Sequence, residues 1–198
     1  MVGSVCKGRD DIVIMSKFGR HCIGDRKALD RSLDSSLCAL KRDSLDILLI
    51  HGAQAINQVR DPATTDFFAE AKERGKIRFC GFSCHQQHVK LTRTAVGDGF
   101  YDVLLVPYNH IGMFDHSVYG FHYEWDHAAM ERLIEEGTEK GIGFIAMKTC
   151  SGGPIKGPDG VESYREALKQ ILRNPRIATM TVAMGSFEEA VEDIGAMI

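Results

Sequence analysis

The feature that most constrains the fold is an unbroken alternation of short apolar runs with helical patterns. The runs are rich in Ile, Val and Leu and lack polar alternation, as strands buried on both faces of a parallel sheet do. They lie at Ile12–Ser16, Asp46–Ile50, Ile77–Phe82, Tyr101–Val106, Ile142–Met147 and Thr179–Met184. Strands that alternate with helices predict a parallel α/β sheet, either open and doubly wound or closed into a barrel.

Helical periodicity fills the segments between these runs. Helices are predicted at about 25–42, 62–74, 86–96, 132–140, 163–173 and 187–194. The last pattern is the clearest, because Phe187, Ala190, Val191 and Ile194 form one apolar stripe. Ser186 lies directly before this helix and Glu189 lies in its first turn, and their spacing is that of a capping box.

The polar residues that follow the runs favour a barrel over an open sheet. In a barrel the carboxyl ends of the strands form one ring around one mouth, whereas an open sheet uses chiefly its switch point. Here all the runs are followed by groups suited to binding or chemistry: Lys17, His51, Ser83 with His85, Tyr108 with Asn109, Lys148, and Gly185 with Ser186. The first run also lacks a following G-x-G-x-x-G motif, which a dinucleotide-binding open sheet would carry.

The length of the chain predicts an incomplete barrel. Eight units take about 250 residues, so 198 residues correspond to fewer units. We expect a single domain over residues 1–198, an α/β partial (β/α)8 (TIM) barrel with about six units, the third to the eighth, open between its first and last strands. The runs IVIM and MTVAM carry no charge or proline to block strand pairing, so self-association through the open edges is expected.

Composition and charge exclude several classes of partner. A formal net charge of −3 gives no reason to expect binding to nucleic acid or to a membrane surface, and no apolar run approaches membrane-spanning length. The first residues contain no apolar signal segment. The 6 cysteines are scattered without a C-x-x-C pair, which favours free thiols in a reducing cytoplasm and no metal site.

Six motifs resemble the aldo-keto reductase superfamily, in the same order and over essentially the whole chain. DIVIMSK is similar to the strand that ends in the catalytic lysine, and RSLDSSLCALKRDSLDILLIHG to the segment that ends in the catalytic histidine. GKIRFCGFSCH resembles the next strand, whose serine contacts the nicotinamide carboxamide, and VPYNH and GIGFIAMKTCSGG resemble the two strands after it. MGSFEEAVEDI resembles the loop and helix that hold the adenosine end of the cofactor. The motifs GFSCH and AMKTCSGG are most similar to the branch of oxidoreductases that often carry a ferredoxin-like C-terminal tail, and these residues include no such tail.

The resemblance implies an NAD(P)-dependent oxidoreductase that transfers hydride between a nicotinamide and a small-molecule carbonyl or alcohol. It implies catalytic roles for Lys17 and His51. The cofactor-binding positions that it implies are Ser83, Tyr108, Asn109, Lys148, Gly185, Ser186, Glu192 and Asp193. Glu189 stands where many NADP-dependent members have an arginine, so NADH is expected to bind at least as well as NADPH.

The family's catalytic aspartate and tyrosine lie in a D-x-A-x-x-Y-G stretch, and these 198 residues do not contain one. We therefore expect a truncated form with impaired turnover. An alternative is a catalytically silent partial barrel that binds nucleotide or serves as an interaction module. A further alternative is a lyase or aldolase in which Lys17 or Lys148 forms a Schiff base.

Several of these residues also have structural interpretations. Ser83 could cap a helix that starts near Gln86, and Glu189 could serve only the capping box. His85 and His88, beside Cys84, are too few for a zinc site without a further ligand. The aromatic segment 110–127 is interpreted as a substrate-facing flap or a cover over the barrel mouth.

Overall fold

Helices and strands alternate along the chain as the sequence predicts. The computed structural model describes residues 2–116, 120–150 and 163–195. The elements are α1 (Val2–Cys6), β1 (Met15–Gly19), a 3₁₀ turn (Arg20–Cys22), α2 (Arg26–Leu40), β2 (Leu45–His51), α3 (Ile56–Val59), α4 (Pro62–Glu73), β3 (Ile77–Ser83), α5 (His88–Asp98), β4 (Val103–Pro107), β5 (Met113–His116), β6 (Phe121–Glu124), α6 (His127–Glu139), β7 (Gly143–Met147), α7 (Tyr164–Leu172), β8 (Ile177–Met180) and α8 (Phe187–Ile194).

Six parallel strands form one sheet in the order β1-β2-β3-β4-β7-β8. Strand β4 pairs directly with β7, because β5 and β6 form a separate antiparallel hairpin between them in sequence. Over the described ranges, β1 and β8 each pair with one neighbour and not with each other. The predicted parallel sheet, open between its first and last strands, is therefore confirmed.

The differences from the prediction that bear on the site concern two strands and one hairpin, and α6 begins at His127, earlier than the predicted helix. The first strand is displaced toward Gly19, so Lys17 lies inside β1 rather than after it. The last strand ends at Met180 rather than Met184, which separates Gly185 from it. An apolar run indicates which residues are buried, but not which of them form the hydrogen bonds of the sheet. Ile14 is buried, yet its N–H donates to the Asp46 carboxylate at 2.8 Å and not to a backbone carbonyl of the neighbouring strand. The β5–β6 hairpin was missed because its strands are only 4 residues long.

The sheet separates two apolar layers. The outer layer packs the sheet against the helices and contains a contiguous set of rings, including Phe18, Phe67 and Phe68. The inner layer is smaller and consists of Ile47, Leu49, Val103, Leu105, Ile145 and Met147, with Met15 packed against it. Residues of β2, β4 and β7 meet in this inner layer although β2 and β4 are not neighbours, so the sheet curves around it as the wall of a barrel does.

The apolar stripe of α8 exists but is not buried. Phe187 is 86% exposed, Val191 67% and Ile194 51%. The helix follows β8, the strand at the open end of the sheet, where the described residues provide no further element for this face to pack against. The sequence thus predicted the helix correctly, while its stripe faces outward instead of into a core.

Candidate active site

Lys17 and His51 lie on the inner face of the sheet. Side chains alternate between the two faces of a strand, so Lys17 shares a face with Met15 and His51 shares one with Leu49, both in the inner layer. His51 is the last residue of β2 and pairs with Gly19, two residues beyond Lys17. The structure therefore places the two predicted catalytic residues on adjacent strands and on one face.

Partial burial lowers the pKa of both side chains, and charge lowers that of His51 as well, although both residues remain exposed to solvent. Burial lowers the pKa of Lys17. The pKa of His51 is lowered first by burial and then by the positive charges of Lys17 and Arg20. At neutral pH the imidazole is therefore uncharged, with one ring N–H to donate and one nitrogen to accept. Such a ring can donate a hydrogen bond to a carbonyl oxygen.

Ser83 is buried beside His51 at the end of β3. Its Oγ accepts a hydrogen bond from the Gly52 N–H at 2.9 Å and donates one to the Ile50 carbonyl at 3.3 Å. The alternative that Ser83 caps the next helix is wrong, because the N-cap of α5 is Gln87 and no side chain caps it. The contact of Ser83 with a nicotinamide carboxamide stays a prediction.

Tyr108 points away from the inner face, into the helix layer. Its hydroxyl donates to the Glu131 carboxylate of α6 and accepts from the Asn174 amide at 2.9 Å. Burial and the Glu131 carboxylate raise the pKa of the Tyr108 phenol, while the Asn174 bond acts against them. The structure does not bring this tyrosine together with Lys17 and His51, and its predicted place at the cofactor is not supported by its position.

Asn109 is fully buried and joins the loops around the mouth. Its amide nitrogen donates to the carbonyls of Met113 at 2.7 Å and Lys148 at 3.0 Å. Its oxygen accepts from the backbone N–H groups of Ile111 and Gly112. This side chain therefore holds the segment after β4 to the hairpin and to the end of β7.

The β5–β6 hairpin is also fixed to the segments that follow β3 and β7. The Tyr123 hydroxyl accepts a hydrogen bond from the Gln87 N–H at 2.7 Å. The Lys148 ammonium lies 5.4 Å from the centre of the Phe114 ring, within cation–π range. These contacts agree with the interpretation of the segment as a cover at the mouth. Residues 117–119 of the segment lie outside the described residues.

A cavity of about 610 Å³ opens beside Lys148, between the ends of β7 and β8 and the helix α8. Its lining contains the predicted cofactor positions Lys148, Glu192 and Asp193. Residues that the sequence did not single out also line it, namely Met147, Thr149, Cys150, Tyr164, Thr181, Val182 and Ala183. Thr149 and Cys150 could have been found, because they directly follow Lys148. Thr181 was not recognised as a lining residue because the sequence prediction placed it inside the last strand.

Among the described residues, more carboxylates than ammonium groups line this cavity. These are Glu189, Glu192 and Asp193, together with Lys148. Burial, and then the charges of Glu192 and Glu189, raise the pKa of Asp193. Burial also lowers the pKa of Lys148, whose backbone adopts a left-handed φ of 58°.

The predicted cap of α8 is present at the edge of the cavity. Ser186 is the N-cap residue, and its hydroxyl accepts a hydrogen bond from the Glu189 N–H at 3.2 Å. The Glu189 carboxylate accepts from the N–H of Gly185. Gly185 and Ser186 therefore shape the start of the helix, and Glu189 serves the cap as well as facing the cavity.

The described ranges contain no group of three or more His, Cys, Asp or Glu side chains placed to hold a metal ion. His88, one of the two histidines weighed for such a site, packs instead against the rings of Tyr123 and Trp125. Within the same ranges, no helix has the length and apolarity needed to cross a membrane.

The family model described as Aldo/keto reductase family matches residues 1–194. The chain belongs to the aldo/keto reductase family. Family membership supports an oxidoreductase, in agreement with the motifs that begin at DIVIMSK. No curated protein sequence matches the chain at a significant level.

Solved aldo/keto reductases share the fold at low sequence identity. The AKR11C1 enzyme of Bacillus halodurans (holo form) is 20% identical, with a TM-score of 0.72 over 99% of this chain and 71% of its own. The thermostable aldo-keto reductase Tm1743 in complex with epalrestat is 23% identical, with a TM-score of 0.73 over 99% and 70%. An aldo/keto reductase of Klebsiella pneumoniae in complex with NADP and acetate is 20% identical, with a TM-score of 0.69 over 99% and 68%. The open six-stranded sheet is thus a partial (β/α)8 barrel.

Proposed function

We propose that this chain is an NAD(P)-dependent oxidoreductase polypeptide that binds the nicotinamide cofactor and orients a small carbonyl or alcohol substrate. The observation that carries the proposal is the placement of two sites on one sheet. Lys17 and His51 lie near the carboxyl ends of β1 and β2, and the acidic cavity lies at the carboxyl ends of β7 and β8. Active sites of (β/α)8 barrels lie at this end of the strands.

The residues of the cavity fit the adenosine end of such a cofactor. A volume of about 610 Å³ is within the usual size of a ligand pocket. Asp193 is buried, and carboxylates at this position can accept hydrogen bonds from ribose hydroxyl and amino groups. Lys148 offers an ammonium to a phosphate. The related Klebsiella enzyme, which is in complex with NADP, supports a nicotinamide cofactor.

The chain's own residues would act on the substrate oxygen. The cofactor, when bound, supplies or accepts the hydride. The neutral His51 imidazole donates a hydrogen bond to the carbonyl oxygen, and the nearby Lys17 ammonium favours negative charge that develops there. His51 thereby fixes the orientation of the carbonyl group.

Proton donation is the step that the described tyrosines do not support. The hydroxyls of Tyr101 and Tyr108 donate their protons to the Val59 carbonyl and the Glu131 carboxylate. The Tyr123 hydroxyl accepts from the Gln87 N–H, and none of the described hydrogen bonds joins it to Lys17 or His51. Tyr164 lines the cavity at the ends of β7 and β8, whose lining does not include Lys17 or His51. Because a positioned acid contributes about 10²–10⁴-fold, turnover by this chain should be slower than that of a complete family member by at least this factor. This observation favours the second candidate, a nucleotide-binding module that is catalytically silent.

We further propose that the chain accepts NADH at least as well as NADPH. A 2′-phosphate would meet the carboxylates of Glu189 and Glu192, whereas a free 2′-hydroxyl can donate to them. The described arginines of this region do not line the cavity, and Arg165 of α7 donates to the Gly195 carbonyl at the end of α8. Arg173 bonds to Gln170, Arg176 pairs with Glu135, and neither lines the cavity.

Calorimetric titration of the protein with NADH and with NADPH tests the proposal. NADH should bind at least as tightly, and Glu189→Gln should improve NADPH binding relative to NADH. Glu166→Gln is the matched control, because Glu166 pairs with Lys169 on α7 and does not line the cavity. Clear preference of the unmodified chain for NADPH would overturn the cofactor assignment. Absence of binding by either nucleotide would overturn the function.

If both nucleotides bind, initial rates with NADH and a set of aldehydes and ketones distinguish the enzyme from the silent module.

Cellular location stays a prediction. All 6 cysteines are described and all are free, which supports a reducing compartment such as the cytoplasm.

A further inference from the structure

The hydroxyl of Ser83 bonds to both peptide groups that flank His51. The carbonyl of Ile50 belongs to the peptide bond before His51, and the N–H of Gly52 belongs to the one after it. Ser83 Oγ donates to the first at 3.3 Å and accepts from the second at 2.9 Å. The Ser83 carbonyl also accepts from the Ala53 N–H at 2.7 Å. One residue of β3 thus fixes the backbone on both sides of the histidine.

These bonds occur where the strand ladder ends. The pairing of β2 with β3 runs only as far as Ile50 opposite Phe82. On its other side, His51 is still held by β1, through its pairing with Gly19. The chain then turns at Gly52, which has a left-handed φ of 70°. The hydrogen bonds of the Ser83 side chain therefore take the place of the β2–β3 backbone hydrogen bonds at the position where those bonds end.

We propose that Ser83 is a positioning residue that sets the direction of the His51 imidazole through the two peptide groups on either side of it. This proposal rests on the proposed function in one respect, namely that His51 is taken as the group that contacts the substrate oxygen. A serine suits the task because its hydroxyl is both a donor and an acceptor. Ser83 is 1% exposed, so water does not replace these bonds readily when the hydroxyl is removed.

Substitution separates this role from simple packing. Ser83→Ala removes the hydroxyl and leaves the Gly52 N–H and the Ile50 carbonyl without it. Ser83→Thr keeps the hydroxyl and should rescue the effect. Ser16→Ala is the matched control, since Ser16 is a serine of β1 whose Oγ lies 3.0 Å from that of Ser36, away from this turn.

The test is an NMR pH titration of histidine-labelled protein, which follows the His51 ring. In Ser83→Ala the ring should become more solvated, and its pKa should rise by at least about 0.3 unit toward the ordinary value near 6.5. Ser83→Thr and Ser16→Ala should titrate as the unmodified chain does. Unchanged titration of His51 in a folded Ser83→Ala protein would overturn the proposal. So would a shift of equal size in Ser16→Ala.

Amide hydrogen exchange in the unmodified chain gives a second test, which does not require a folded variant. The Gly52 N–H should exchange at least about tenfold more slowly than that of Gly8, a turn glycine with a similar φ of 71° whose N–H has no partner among the backbone hydrogen bonds of the described residues. Equal rates would overturn the proposal. These readouts need no bound nucleotide, so a failure of NADH to bind would remove the proposed function and leave the positioning role to be judged on its own.

Discussion

His51 lies on β2, two residues after Leu49, and Leu49 is the residue that pairs with Lys17 of β1. Burial and then the charge of Lys17 lower the pKa of His51. Lys17→Met removes the nearby positive charge, so protonation of the ring becomes easier and the pKa of His51 should rise. Because burial remains, we expect a rise of only about 0.5 unit in an NMR titration. Lys27→Met, at an exposed position of α2, should leave His51 unchanged.

A second prediction concerns acid stability and His88. This side chain is fully buried against Tyr123 and Trp125, and within the described ranges both ring nitrogens have no hydrogen-bond partner. Burial lowers its pKa to about 4. As the pH falls below about 6.5 the unfolded chain binds a proton that the folded chain does not, so stability is lost until about pH 4. The loss should be on the order of 3 kcal/mol.

Denaturant unfolding at a series of pH values measures this loss. His88→Leu should flatten the decline between pH 7 and pH 4 relative to the unmodified chain. His21→Gln, at an exposed histidine, is the control and should leave the decline as it is. Parallel declines in His88→Leu and the unmodified protein would contradict the assignment.

A third prediction concerns Gly81 in β3. A Cβ atom at this position would lie 1.7 Å from the Val103 carbonyl oxygen of β4 and 2.9 Å from Leu49 Cδ2. Backbone atoms of the paired strand cannot move aside cheaply, so Gly81→Ala should destabilise the fold by at least about 2 kcal/mol. Gly97→Ala in α5 is the control: it meets no atom within 4 Å and should stabilise slightly. Thermal and denaturant melts compare the two, and an unchanged Gly81→Ala would contradict the close strand approach.

The fourth prediction concerns self-association at the open end of the sheet. The exposed stripe of α8, with Phe187 and Val191, belongs to the helix that follows β8, the strand at one end of the sheet. We expect oligomers in size-exclusion chromatography with light scattering. Phe187→Lys with Val191→Lys should shift the distribution toward monomer, whereas Ala128→Lys at an exposed site of α6 should not. A monomer at all concentrations in the unmodified chain would contradict the prediction.

The sequence predicted most of the fold because the strands and helices are strongly patterned. Lys17 and His51 could be found because each directly follows an apolar run, although β1 extends to Gly19 and places Lys17 inside the strand. The direction of Tyr108 could not, since it depends on Glu131 and Asn174, which approach from other elements. Asn109 was recognised by its place after β4, but its bonds to Met113, Lys148, Ile111 and Gly112 come from loop geometry that no local pattern contains.

The order of the strands has a consequence for how the molecule fluctuates. Each strand of the parallel sheet pairs only with strands that are its neighbours in sequence, apart from the hairpin that lies between β4 and β7. The central strands are held on both sides, whereas β1 and β8 are each held on one side in the described structure. Opening from an edge therefore breaks one ladder, while opening at the centre breaks two. The sheet should unzip from its two ends inward, so Lys17, on an edge strand, sits on the more easily released side of the pair and His51 on the more protected side.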